Sequence, residues 1–238
     1  MLGRGLAAVA AVVLVGCGPS GDPVTWRHDL ELGLPAVEWP FGPPDVSNEW
    51  VAALVDANVA LAVAHNSGDY SGAAIAQRVD PEHATMWAIR SADSAVFEPG
   101  ESLGSGTRLF PGPEPLWVTH VSVDGDTATV FACTISLGWD RDLEMGMGMG
   151  RTLTQLRRAG TGAATKYEMR RGADGRIRLV GERQGEHPVG GCGTDDLRLG
   201  YFLPEPPYGS ERLKIEVLGL DGLPVVESAA WTDSGRPW

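Results

Sequence analysis

The chain has 238 residues, with 19 basic and 31 acidic side chains and a formal net charge of −12. A chain this acidic repels nucleic acid and anionic lipid headgroups, so nucleic acid is excluded as a partner. Its length suits one large or two small domains.

Residues 1–16 place Arg4 before an uncharged run of Ala, Val and Leu from Gly5 to Gly16. That is the order of a secretory signal, and it is too short to span: twelve helical residues cover about 18 Å against a hydrocarbon core of ~30 Å. The run ends Leu14-Val15-Gly16-Cys17, which resembles the lipobox of bacterial lipoproteins. The resemblance implies that residues 1–16 are removed and that Cys17 carries a diacylglycerol. The protein would then face the extracytoplasmic side of the cell membrane on a two-chain anchor. The alternative is an ordinary signal peptide followed by an incidental Cys. Removal leaves 238 − 16 = 222 residues, and loss of Arg4 takes the charge to −13.

Three Cys are present. With Cys17 acylated, Cys133 and Cys192 remain as an even pair in an oxidising space and are expected to bond. Two buried free thiols are the alternative.

Residues 17–46 read as a Gly/Ser/Pro tether followed by an arm. Pro35, Pro40, Pro43 and Pro44 forbid regular helix and interrupt strand ladders, while Trp26, Trp39 and Phe41 suggest an arm lying against the domain. Residues 47–65 (SNEWVAALVDANVALAVAH) predict a long helix, with Ser47 as its cap and Glu49 at its positive end. Trp50, Leu54, Leu61 and His65 form its apolar stripe, leaving Asp56, Asn58 and Asn66 as the polar face. So wide an apolar surface implies burial on two sides. Shorter helices are expected over 71–78 and 81–91, the second opened by Asp80-Pro81-Glu82.

The period then changes from helix to strand. Residues 117–123 (WVTHVSV) and 127–136 (TATVFACTIS) flank Asp124-Gly125-Asp126 and predict a hairpin. Residues 164–171 and 176–184 flank Ala173-Asp174-Gly175 and predict a second. Residues 137–162 read as a long connection. Residues 186–238 read as an irregular extension with short strands near 197–202 and 213–218. Helices followed by antiparallel hairpins define an α+β class, with the helices packed on a curved sheet over 47–185.

The phrases VSVDGDTATVFAC and YEMRRGADGRIRLVGERQG, together with the long early helix, resemble the nuclear transport factor two-like fold, particularly secreted and lipoprotein members from actinobacteria. The resemblance covers residues 47–185. The insertion at 137–162 and the tail after 185 depart from it, and Arg176 and Ile177 stand where members usually carry a Trp. It implies a cone between sheet and long helix, lined here by Trp50, Leu54, Asp56, Leu61, His65 and Tyr167. Members include cyclases, isomerases and dehydratases with an Asp or His acid/base in the cone, and many domains without activity.

No residue matches a catalytic motif of those enzymes. His65 either faces the cone or caps the helix end; Asp56 could serve as an acid/base; Tyr167 reads as core or cone lining. His120 is placed with Val118 and Ser122 on the more polar strand face. Met145, Met147 and Met149 alternate with Gly and offer thioethers that suit copper(I), without preorganisation or a neighbouring His or Cys. Asp80, Glu82 and His83 form a hard-metal trio on paper, read more simply as a helix start. Nucleophile-elbow, phosphate-loop and calcium-loop patterns are missing. No cofactor or metal is implied. The expectation is a non-catalytic binding domain for a small apolar ligand or an envelope protein. The alternative is a small cyclase- or isomerase-like enzyme using His65 or Asp56.

Overall fold

The computed structural model describes residues 24–26, 30–40, 42–94, 110, 112–134, 163–185, 192, 197–204 and 216–225. In chain order these form β1 (Val24–Trp26), a single 3-10 turn (Leu30–Leu32), β2 (Ala36–Trp39), α1 (Glu49–Ser67), α2 (Ala73–Arg78), α3 (Pro81–Ser94), β3 (Leu116–Asp124), β4 (Thr127–Thr134), β5 (Ala163–Arg171), β6 (Ile177–Gln184) and β7 (Tyr201–Leu203). The fold is mixed α+β, with a curved antiparallel sheet in the order β3-β4-β5-β6.

Helix α1 starts one residue later than the sequence predicts. Asn48 is its cap: the side-chain oxygen accepts from the backbone N–H of Trp50 at 2.9 Å and of Val51 at 3.4 Å. Ser47 instead donates its hydroxyl to Asp45 at 2.6 Å. Two good capping residues in succession compete, and the preceding Asp45 takes the first. The helix ends at Gly68, whose φ of 71° and N–H bonds to the Ala64 and His65 carbonyls close the last turn. Of the 19 residues in α1, 13 are buried. That count means two buried sides, since a single core-facing stripe would cover about half as many. Asn58, expected on the polar face, is among the buried residues.

Each hairpin follows from a local turn. In the first, Gly125 has φ 57° at the first central position while Asp126 stays at negative φ, the pattern of a two-residue type II′ turn. In the second, Gly175 supplies φ 76° and Asp174 is bonded to both Arg176 and Arg178. Two bulges break the simple alternation, at Thr119 in β3 and at Val180 in β6. The first corrects the placement of His120. Trp117 and His120 oppose Cys133 and Phe131 on one face, while Val118 and Val121 oppose Ala132 and Val130 on the other. His120 is therefore exposed on Trp117's side of the sheet, not on Val118's.

The inner face carries Ala128, Val130, Ala132, Tyr167, Met169 and Leu179, all buried, and α1, α2 and α3 pack on it. The Pro-rich arm was expected to interrupt ladders. It instead supplies two short strands, and β1-β2-β7 form a second antiparallel sheet in which Val37 pairs with Phe202. Its prolines flank β2 on either side and leave the four residues between them free to pair. Gly112 lies against the backbone of Gly200, so close that a side chain on either residue would collide with its neighbours.

Candidate functional site

The stripe along α1 is built by spacings of four, four, three and four: Trp50, Leu54, Asn58, Leu61, His65. All five are buried. At one end, the Arg171 guanidinium lies 5.2 Å over the Trp50 ring and bonds Glu49 at 2.7 Å, fixing the start of α1 to the end of β5. At the other end, His65 stacks on Phe110 with ring centroids 4.1 Å apart, and its Nδ1 is 3.4 Å from the Ser91 hydroxyl. Leu54 and Leu61 belong to the contiguous core. Asp56 points away from this stripe and pairs with Arg78 of α2 at 3.4 Å. Asn58 is the polar member that the sequence reading assigned to the wrong face, and its Nδ2 has no hydrogen-bond partner among the described residues.

Tyr167 is fully buried and anchors a polar cluster that sequence reasoning missed. Its hydroxyl donates to Glu114 Oε2 at 2.8 Å. Glu114 is half-buried and stands between Pro113 and Pro115, just before β3. Directly across the strand pair from Tyr167 is Glu182, which keeps 18% of its side-chain surface exposed and accepts from Arg90 of α3 at 3.4 Å. Glu182 reaches this face only because of the bulge. Leu179 and Glu182 are three residues apart and both point inward, where a regular strand would place Glu182 outside. Thr165, two residues before Tyr167 on the same face, bonds Thr134 at 3.1 Å and also the Tyr167 side chain. The cluster thus draws on β4, β5, β6, α3 and the segment before β3.

Its electrostatics follow from burying two carboxylates beside one phenol, with Arg90 bonded to Glu182. Burial, and then the Glu182 charge, push the Glu114 carboxyl up to about 8, against the opposing effect of the Tyr167 hydrogen bond. Glu114 is therefore a neutral acid at neutral pH, able to donate one hydrogen bond. Burial also raises Glu182, with Arg90 holding it back. Burial and the two carboxylates push the Tyr167 phenol well above its ordinary range. Chemically, the arrangement presents a protonated carboxyl braced by a phenol, beside an ion pair. An acid isolated between two prolines was the available sequence signal for Glu114; nothing local marks Glu182.

The paper trio of Asp80, Glu82 and His83 is divided among other tasks. Asp80 accepts from the Glu82 N–H at 3.1 Å to open α3, while buried His83 accepts from Trp87 Nε1 at 3.2 Å. Among the described residues, no group of three or more His, Cys, Asp or Glu is placed to hold a metal ion. Met145, Met147, Met149 and Cys17 lie outside the described residues. Cys133 and Cys192 are bonded, with Cα atoms 5.4 Å apart, and join β4 to the extension. No protein-family model matches the chain, and no curated protein or solved structure gave a significant match.

Proposed function

We propose that the chain is an exported lipoprotein, held on the extracytoplasmic side of the cell membrane by a diacylglycerol on Cys17. Its nuclear transport factor two-like domain binds a small, mainly apolar ligand or an envelope protein without chemistry. The observation that carries the export reading is the Cys133–Cys192 bond, which suits an oxidising compartment. Among the described residues no helix is long and apolar enough to cross a membrane. The non-catalytic reading draws on the fate of the expected acid/base groups. Asp56 is paired with Arg78, and His65 is packed against Phe110 and Ser91.

A second reading, an acid/base enzyme of the cyclase or isomerase kind, is favoured by one observation: the Tyr167–Glu114 pair. In that case Glu114, not His65 or Asp56, is the proton donor, because it is the group held neutral near physiological pH.

Fractionation of cells fed a labelled fatty acid tests the anchor. The wild-type chain is expected in membranes with label, and Cys17→Ser in the soluble fraction without it. A Cys17→Ser chain that keeps its label and its membrane location overturns the reading. Mass spectrometry of the ligand extracted with native protein separates the two activities. A molecule returned unchanged supports binding, and one converted on incubation supports catalysis.

A further inference from the structure

We propose that the outer edge of β3 pairs with the same edge of a second copy of this chain, joining two sheets into one across a two-fold axis at Ser122. Two observations carry this: an open strand edge, and a sequence along it that complements itself when reversed.

The two edges of the four-stranded sheet differ. On β6, Leu179 bridges Val79 and its carbonyl accepts from the Asp80 N–H at 2.8 Å, while Arg178 Nε donates to the Ala76 carbonyl at 3.4 Å. The connection from α2 to α3 thus covers that edge. On β3, Leu116 exchanges backbone bonds with Arg198, and beyond it none of the described residues pairs with the outer side. His120, Ser122, Val123 and Asp124 are exposed, Val123 to 54%. Lys and Pro commonly blunt such an edge. This stretch has neither, and its formal charge is confined to Asp124 at its end.

The turn fixes which backbone groups are on offer. A two-residue turn makes Asp124 and Thr127 a hydrogen-bonded pair, so Ser122 and His120 likewise face their mates Thr129 and Phe131 on β4. Val121 and Val123 therefore direct their N–H and C=O groups outward. The bulge at Thr119 ends this regular stretch on one side and the turn at Gly125 ends it on the other.

Residues 120–124 read His-Val-Ser-Val-Asp. An antiparallel copy centred on Ser122 sets Val121 opposite the second copy's Val123, where each exchanges both main-chain bonds with its mate. The exposed Val123 side chain is covered in the same contact. His120 meets the second copy's Asp124, an imidazole donor against a carboxylate, and symmetry repeats the pair at the other end. No like charges oppose each other. Centring on Val121 instead would set His120 against Ser122 and Asp124 against Val118, losing both polar pairs. The contact is short, which suits a weak, reversible association. It does not depend on the anchoring or ligand readings.

Cysteine cross-linking of the full chain in cells tests the pairing. On the axis, opposed Cα atoms come within about 4.5 Å, inside the reach of a disulfide. Exposed Thr127 on β4 would lie at least about 14 Å from its mate. After mild oxidation, Ser122→Cys is expected to run mainly as a dimer that reductant separates, while wild type and Thr127→Cys stay monomeric. A Ser122→Cys yield no higher than that of Thr127→Cys overturns the proposal. So does an adduct of any other mass, which would assign the edge to a different protein. In the Ser122→Cys chain, His120→Asp sets acid against acid and is expected to lower the yield about threefold or more; adding Asp124→His restores it. A yield that the first change leaves unmoved, or that the second fails to restore, overturns the pairing centred on Ser122.

Discussion

Tyr167 and Glu182 stand directly opposite each other across β5 and β6, and they share a face because Val180 adds one residue to the β6 side. The bulge thus converts an outward acid into an inward one, and the pairing brings two carboxylates within reach of one phenol.

Removing the phenol separates its two effects on Glu114. Tyr167→Phe keeps the ring but leaves the carboxyl without its donor, which is expected to cost about 1–3 kcal/mol. Because the Tyr167 hydrogen bond lowers the Glu114 pKa, its loss moves the midpoint above about 8. Urea unfolding and carbon-13 titration of the variant measure both. A midpoint that falls contradicts the geometry.

His83 supplies a pH dependence of opposite sense. Burial, and then the Arg90 charge, depress the imidazole from 6.5 to about 4, with Asp80 partly opposing. Its Nε2 must stay bare to accept from Trp87. Between those two pH values the unfolded chain binds a proton that the folded chain does not. This contribution is therefore fully present above pH 6.5 and is lost as pH falls towards 4. It amounts to ~3 kcal/mol as an order of magnitude. In His83→Gln, which retains an acceptor, the gap in urea midpoint between acid and neutral pH is expected to narrow. An unchanged gap refutes the assignment.

The Asn58 amide, unpartnered among the described residues, makes a prediction in the stabilising direction. A buried donor without an acceptor costs about 1–3 kcal/mol, and Leu has similar volume and no polar atom. Asn58→Leu is expected to raise the thermal midpoint. If the midpoint drops instead, the amide makes a bond in solution that stabilises the fold.

Breaking the Cys133–Cys192 bond releases the extension from β4. The separation of 59 residues corresponds to about 4 kcal/mol in the chain-entropy treatment. Reduction, or Cys133→Ala with Cys192→Ala, is expected to lower the urea midpoint accordingly. Thiol labelling of the unreduced protein unfolded in urea should modify neither Cys133 nor Cys192; labelling of both would show that the bond is absent.

What the sequence made legible was local. The Gly125 and Gly175 turns sit inside the hairpins they create, and Asp80-Pro81 announces α3, because the residues that decide each lie within a few positions. Ser47 against Asn48 was a contest between neighbours, settled by Asp45. The rest is non-local. Neither Thr119 nor Val180 looks unlike an ordinary strand residue, so the faces of His120 and Glu182 depend on pairing partners that composition does not reveal. Glu114 meets Tyr167 across 53 residues of sequence, which no periodicity spans. Asn58 was read as polar and therefore outward, whereas the helix around it is covered on more than one side.

Strand β2 pairs with β1, a few residues before it, and with β7, which arrives only near the far end of the polypeptide. During biosynthesis the middle strand of that sheet must wait, half-matched, until nearly the whole chain has emerged. A polypeptide stopped short of Tyr201 would leave Val37 and Trp39, now sealed in the core, facing solvent. Strand β2 therefore gains its second neighbour only once Tyr201–Leu203 is available, so β1, β2 and β7 complete their sheet together.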